Sequence, residues 1–289
     1  MTTEVKPADQ QGPAYWLGQH EGRLQTLLAG ADLAAAVTLR YFGESGIAVE
    51  AKADASPVTI ADRTAEWEFR QFIEQVFPND GVLGEEHGER IGTSGYRWVI
   101  DPIDGTKSFV AGVPLYSTLL ALEYDGEPVA GGIWIPALGE AVVASAGLGC
   151  WHRRGRSAAS EPSDAQWRRA QWCRAAVTEK SQLEQAIFVT TAVDSYEEVG
   201  AMGAFADLQR AAWFTRTWGD GYGYLLVATG RADVMVDPIV NPWDIAAIKP
   251  VIEEAGGRFT NWEGVATAKS RNAIGSNGRI HDRILAMLR

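Results

Sequence analysis

Cysteine is nearly absent from this chain of 289 residues: Cys150 and Cys173 are its only two, and they stand in no CxxC spacing. A disulfide framework and a structural zinc site are therefore excluded as organising elements, and free thiols in a reducing compartment are expected. Histidine is also scarce. The four present, His20, His87, His152 and His281, are scattered and receive no catalytic role. A basic surplus is missing too: 26 Lys and Arg face 37 Asp and Glu, for a net charge of -11. Nucleic-acid-binding surfaces carry the opposite balance. No apolar run approaches the ~18 residues of a membrane helix, and the opening MTTEVKPADQQGP lacks the apolar segment of a secretory signal. The expectation is a soluble, cytoplasmic protein without nucleic-acid or membrane partners.

What is present fits a globular chain. Hydrophobic residues make up 46%, and 11 Trp supply bulk for a substantial core. Residues 1–14 read as a flexible tail. Between Trp16 and Phe42, apolar residues recur at Leu24, Leu27, Leu28, Leu33 and Val37, which predicts one long or two short amphipathic helices. A further helix is predicted over 62–76, ahead of Pro78. A short strand, 97–100, ends in Asp101-Pro102-Ile103-Asp104-Gly105. Strands 117–124 and 128–135, separated by Asp125-Gly126, form a predicted hairpin, with a third strand at 140–146.

The segment 151–183 is basic, rich in Ser and Ala, and uninformative. A boundary near its start divides an N-terminal α+β subdomain, 15–150, from a C-terminal α/β subdomain, 151–289. In the latter, strands (187–191, 233–236, 273–275) alternate with helices (197–211, 219–229, 242–255 and one ending at Leu288). That alternation predicts a largely parallel sheet.

The chemistry concentrates in WVIDPIDGTKSF, residues 98–109. Asp101 and Asp104 leave a buried strand at a turn fixed by Pro102. Two carboxylates three apart, with the Ile103 carbonyl between them, are oxygen donors for a hard cation. The N–H groups of Gly105 and Thr106 at the following helix start suit a phosphate. An isolated DxxDG is most often an ordinary polar turn. Here it lies downstream of Gly84-Glu85-Glu86 and upstream of Asn241-Pro242-Trp243-Asp244. Four carboxylates, Glu85, Asp101, Asp104 and Asp244, can share two or three Mg²⁺ ions. The acid excess, by itself a common surface property, then also suits an enzyme that binds phosphate through divalent cations.

Taken together, these three segments make the chain similar to the inositol monophosphatase family, whose marks are GEE, then DPIDGT, then WD before EAGG. The resemblance runs from about Leu17 to the C-terminus. It implies a layered α+β fold, with an antiparallel sheet and helices followed by an α/β half. It implies metal ligation by Glu85, Asp101, the Ile103 carbonyl, Asp104 and Asp244, and phosphate binding at Gly105 and Thr106. Asp62 matches an acidic residue that orders the attacking water through Thr106. The proton acceptor is either Glu85 or the Thr106–Asp62 relay, and the sequence leaves both open. Relatives of this kind are usually homodimers.

Within the family, residues 215–238 resemble the histidinol-phosphate phosphatase branch. That branch commonly has G-D-C-Y where this chain has Gly219-Asp220-Gly221-Tyr222, so Gly221 is a departure; the Thr190-Thr191 pair matches. Asp104, Thr191, Asp220, Asp237 and Asp244 are the expected substrate contacts. Histidinol phosphate carries an ammonium group, which Asp220 and Asp237 would hold by charge-assisted hydrogen bonds. An inositol or other sugar phosphate is the alternative substrate, and a non-catalytic protein on the same fold is the distant one.

Overall fold

The computed structural model describes residues 19–44, 49–51, 57–155 and 172–289. The expected tail 1–14, the first residues of the predicted 16–42 helix and residues 156–171 of the 151–183 segment lie outside them.

One helix, Arg23–Tyr41, follows a 3₁₀ turn at Gln19–Gly22. Its buried Leu24, Leu27, Ala31, Ala34 and Ala35 recur at three- and four-residue steps, the spacing that puts one stripe on the core. The helix Ile60–Val76 turns Phe69 and Ile73 toward the same stripe. Gly30 lets the two approach: a Cβ there would stand 2.8 Å from the Phe69 ring. Arg23 closes the packing by holding both oxygens of buried Asp80 at 2.8 Å, its guanidinium lying over the Phe77 and Tyr96 rings.

These helices cover a sheet of eight strands: β3 (Gly81–Gly84), β4 (Gly88–Arg90), β5 (Tyr96–Asp104), β6 (Ser117–Tyr124), β7 (Glu127–Ile135), β8 (Glu140–Ser145), β9 (Gly149–Arg154) and β10 (Trp172–Arg174). A separate short pair, β1 (Val49–Ala51) and β2 (Pro57–Thr59), precedes them. The order across the sheet is β10-β9-β8-β7-β6-β5-β3-β4, antiparallel except where β3 runs parallel to β5. The predicted meander is thus present and continues into β9 and β10, whose sequences lack clear alternation. The division expected at 150/151 falls inside β9.

Strand β5 is longer than its predicted 97–100. Asp101 still pairs with Leu119 and Asp104 with Ser117, with a register shift between them. Pro102 has no N–H for the ladder, so the strand bulges there instead of ending.

The second sheet has the order β12-β11-β13-β15-β14, from β11 (Ile187–Val189), β12 (Phe214–Arg216), β13 (Val234–Asp237), β14 (Arg258–Thr260) and β15 (Ala273–Ser276). The parallel arrangement read from the alternation holds for β12-β11-β13. The two pairings made by β15 are antiparallel, because the chain returns from β14 to β15 through residues 261–272, which form no crossover helix. Strands β12 and β14, three residues each, give too little alternation to read. The predicted helix 197–211 is broken into Asp194–Glu198 and Met202–Ala211 at Gly200, whose φ of 71° is left-handed. The predicted 242–255 helix is likewise two pieces, Pro242–Ile245 and Ile248–Glu254. Helix Asp220–Ala228 is buried almost throughout, and Leu225 and Val227 share one core with Leu119 and Val142 of the first sheet. That shared core fixes the helix start against the end of β5.

Candidate active site

At the end of β5 the backbone organises its own carboxylates. Ile103 N–H donates to Asp101 Oδ1 at 3.0 Å, and Thr118 Oγ1 donates to Pro102 O at 2.8 Å. Gly105 then adopts φ 85°, a left-handed conformation that glycine takes without steric cost, and the short helix Thr106–Val110 begins. The Thr106 hydroxyl donates to Ile103 O at 3.1 Å.

Asp104 is fixed from two sides. Its Oδ2 accepts Ser117 Oγ at 2.9 Å and the backbone N–H of Gly221 at 2.5 Å. The second bond needs a glycine, since a Cβ on residue 221 would stand 2.4 Å from Ser117 Oγ and 3.1 Å from Asp104 Oδ2.

Asp62 lies in the first turn of helix Ile60–Val76. Its Oδ2 accepts both the N–H (2.8 Å) and the hydroxyl (2.6 Å) of the N-cap Thr59. Its Oδ1 is buried without a partner. One turn further on, buried Glu66 accepts Glu86 N–H at 2.7 Å, His87 N–H at 3.1 Å and Arg70 Nε at 2.7 Å. Its carboxylate presses on Gly84, where a Cβ would stand 2.2 Å away. Glu66 therefore braces the turn that presents Glu85.

The second half supplies three more acids. Thr191 connects two of them: its N–H donates to Asp237 Oδ1 at 3.2 Å, and its Oγ1 accepts Asp220 N–H at 2.9 Å. Asp220 has φ 54°, unusual for a side chain that is not glycine. Its carboxylate rests on Gly105, where a Cβ would meet Oδ2 at 2.6 Å. Asp244 accepts Asn241 N–H at 2.7 Å within its own first helical turn. A narrow cavity of about 60 Å³ joins Asp104, Asp220, Asp237 and Asp244 to Thr191, Tyr224 and an apolar wall that includes Ile239 and Ile245. A larger cavity of about 260 Å³, beside residues 109–112, has Glu44 as its acidic lining residue among the described residues and does not gather these carboxylates.

Burial pushes Asp101 well above the usual carboxylate range, and Glu85, Asp104 and Asp244 push it further. Burial raises Asp104 as strongly, with Asp220 adding to it while Ser117 and Gly221 oppose. Asp244 is raised well above its ordinary value by burial and by Asp104 and Glu85. Asp220 is pushed up to about 7 by burial, Asp237 and Asp244, with Lys107 acting in the other direction. Burial takes Asp237 to about 6. Asp62 is raised by burial and by Glu85, against the opposing Thr59 hydrogen bonds.

So many like-charged groups, held apart from water, call for positive charge among them. The donors fit a hard divalent cation: all are oxygen, and Asp62 Oδ1 is buried with no hydrogen bond. Among the described residues, no three His, Cys, Asp or Glu side chains are already closed around a single point.

Of the residues read from sequence, Glu85, Asp101, Asp104 and Asp244 form one mutually repelling group, with Asp62 reached through Glu85. Asp220, Asp237 and Thr191 form the adjoining part. Thr106 and Asp62 are both present, but no hydrogen bond joins them directly: each bonds its own local partner. Sequence reading missed Glu66, Ser117 and Tyr224. Glu66 stands one helical turn after Asp62, a spacing that shares a face; the other two left no signal.

The family model described as "Inositol monophosphatase family" matches residues 23–289. The histidinol-phosphatase of Mycobacterium tuberculosis is 37% identical over 265 residues, covering 92% of this chain and 97% of its own. That of Chlorobaculum parvum is 40% identical over 261 residues, covering 88% and 94%. Among solved structures, the extragenic suppressor protein suhB from Bartonella henselae superposes with a TM-score of 0.81 at 26% identity, covering 93% of this chain and 99% of that one. With GEE, DPIDGT and WD brought to one buried acidic site, and the family model spanning that site and both sheets, this chain belongs to the inositol monophosphatase family.

Proposed function

We propose that the protein is a magnesium-dependent phosphatase that hydrolyses histidinol phosphate to L-histidinol and inorganic phosphate. The observation that carries this reading is the meeting of two acidic groups. Asp101, Asp104, Asp244 and Glu85 form the first, and Asp220 and Asp237 adjoin it beside the Gly105–Thr106 turn. The relatives named histidinol-phosphatase support the same substrate.

Glu85, Asp101, the Ile103 carbonyl, Asp104 and Asp244 would hold two or three Mg²⁺ ions. Bound magnesium supplies Lewis acidity and lowers the pKa of water. The Ile103 carbonyl has two lone pairs, and the Thr106 hydroxyl occupies one. The backbone N–H groups of Gly105 and Thr106 face the phosphoryl oxygens. Glu85, or Thr106 with Asp62 acting through a water, accepts the proton of the attacking water; the unpartnered Asp62 Oδ1 favours a place for that water. At the organic end, Asp220 and Asp237, kept in place by Thr191, accept hydrogen bonds from the substrate ammonium.

In the same reading the enzyme is a cytoplasmic homodimer without nucleic-acid or membrane partners. No helix among the described residues is long and apolar enough to cross a membrane.

Phosphate release from histidinol phosphate and from inositol 1-phosphate, each with Mg²⁺ and with EDTA, tests the reading. The expected result is Mg²⁺-dependent turnover that favours histidinol phosphate. Turnover of inositol 1-phosphate alone would reassign the substrate; turnover undiminished by EDTA would remove the metal.

A further inference from the structure

The acids of the narrow cavity suit a cation, yet its rim carries an isoleucine. Among the described residues that line it, Ile239 is the exposed one, at 39%; the others are half-buried or buried. A singly exposed isoleucine is ordinary on a protein surface. This one extends a wall whose deeper members, Val240, Ile245 and Ile248, are buried, so the apolar side of the cavity runs outward to its mouth.

Topology puts this side chain where a ligand arrives. Strands β11 and β13 are parallel neighbours, and the cavity lies at their carboxyl ends: Thr191 follows β11, and Asp237 is the last residue of β13. Ligands of open α/β sheets gather outside such strand ends. Ile239 stands just beyond β13, and its chain neighbours are tied down. Asp237 pairs with Ala273 across the sheet, and Val240 N–H donates to Arg271 O at 2.9 Å. Volume then decides what meets it. About 60 Å³ admits roughly four to six water-sized groups, fewer than the non-hydrogen atoms of histidinol phosphate. The phosphoryl group and the carbon that bears the ammonium fill that space among the acids, and the heteroaromatic ring is left at the mouth. Its nitrogens lie in the ring plane, so one face can cover Ile239 while the polar edge stays in water.

We propose that Ile239 is the platform on which the substrate's heteroaromatic ring lies, at the mouth of the cavity formed by Asp104, Asp220, Asp237 and Asp244. This rests on the histidinol-phosphate reading and deepens it: the ammonium group goes to Asp220 and Asp237, and the face of the ring to Ile239. Ile239 is a specificity residue in this scheme. It favours a phosphorylated amino alcohol with a flat ring over one that has the same two charged ends and no ring.

The test compares Ile239→Ala and Ile239→Val with wild type on histidinol phosphate and on 2-aminoethyl phosphate, the latter as a substrate or, where its turnover is too slow, as a competitive inhibitor. The melting temperature of each protein is the control, and it should hold, because the side chain is exposed. For Ile239→Ala the expected result is a roughly four- to fifteenfold loss of kcat/KM on histidinol phosphate, the worth of one or two CH₂ groups withdrawn from water. The loss should appear in KM with kcat unchanged, since the ring is bound alike before and during reaction. Ile239→Val should lose less. The constants for 2-aminoethyl phosphate should not move. An equal loss on both compounds would overturn the proposal, because Ile239 would then act only by holding the neighbouring Asp237. Unchanged kinetics on histidinol phosphate would also overturn it. Wild type that fails to hydrolyse histidinol phosphate would instead defeat the substrate reading beneath it, an outcome read before any variant is made.

Discussion

Gly221 donates its backbone N–H to Asp104 Oδ2 at 2.5 Å, so the start of helix Asp220–Ala228 and the end of β5 meet at a single carboxylate oxygen. The contact joins the two halves of the chain at the centre of the site. It also explains why this chain has glycine where G-D-C-Y would place a cysteine: Ser117 Oγ fills the space that a side chain needs.

Replacing Gly221 with Ala should therefore destabilise the protein by about 1–3 kcal/mol, the usual range for overpacking. Ser117→Ala in the same chain should recover part of that loss, since it removes the atom nearest the new methyl. Leu119 Cδ2, 2.8 Å from the same point, limits the recovery. Urea unfolding of both single variants and the double variant measures this. Strict additivity would show that residues 117 and 221 do not share the space.

Stability of the metal-free protein should fall as pH rises from 6.5 to 8. Asp220 is raised to about 7 when folded, so the folded state binds the extra proton and loses that advantage as pH passes through 7. Asp237, at about 6, acts in the same direction over a slightly lower range. His281 opposes them. Burial depresses it to about 4, and the stability it confers grows with pH only up to the unfolded value near 6.5. His20, lowered by partial burial and by Arg23, works in that same lower window. Above pH 6.5 the carboxylates are left alone, and Asp220 by itself contributes about 1 kcal/mol of loss by pH 8. That is roughly 2–4 °C in melting temperature. Melting in EDTA across this range should show the fall, and Mg²⁺ or Asp220→Asn should flatten it. A profile that rises between pH 6.5 and 8 would contradict the assignment.

Glu66 should matter to the metal without touching it. Glu66→Gln weakens the acceptor that holds the Glu86 and His87 N–H groups, loosening the turn that carries Glu85. Loss of such a supporting contact commonly costs about 10–100-fold in metal affinity. The Mg²⁺ concentration needed for half-maximal thermal stabilisation should rise by that factor, while Asp104→Asn should remove the stabilisation and lower turnover about 100-fold or more. An unchanged Mg²⁺ midpoint in Glu66→Gln would make the brace purely structural.

Much of this acidic cluster could be read directly from the chain because its carboxylates lie in short local motifs. Asp101 to Thr106 are consecutive, and Glu85 and Asp244 each follow a recognisable neighbour. Helix and hairpin periodicity likewise placed Arg23–Tyr41, Ile60–Val76 and β6–β8, where apolar spacing reflects one buried face. What escaped depends on contacts far apart in sequence. Ser117 finds Asp104 through strand register, and Gly221 reaches it across 117 positions. Tyr224 looks like one apolar residue in a buried helix until the fold brings it to the cavity beside Asp237. Strands of three residues, such as β12 and β14, are set by their neighbours in the sheet and have no pattern of their own.

The remaining prediction separates the two acids at the organic end. Asp220 rests on Gly105 beside the phosphate turn, whereas Asp237 is held deeper by Thr191. If Asp220 pairs with the substrate ammonium, Asp220→Asn should cost histidinol phosphate about 1.5–3 kcal/mol, the range for a hydrogen bond to a charged group. That corresponds to a loss in kcat/KM of roughly ten- to a hundredfold or somewhat more. Glycerol 2-phosphate offers no cation, so its hydrolysis should change little. Asp220→Asn and Asp237→Asn should each penalise histidinol phosphate and 2-aminoethyl phosphate, which both carry an ammonium, and the larger loss marks the acid nearer to it. The order of losses across the three esters therefore decides the roles. Equal losses of Asp220→Asn on all three would mean that this carboxylate keeps Gly105 or the metal ligands in place and takes no part in choosing the substrate. No loss on any would remove it from the pocket's chemistry, leaving its φ of 54° as a feature of the helix start alone.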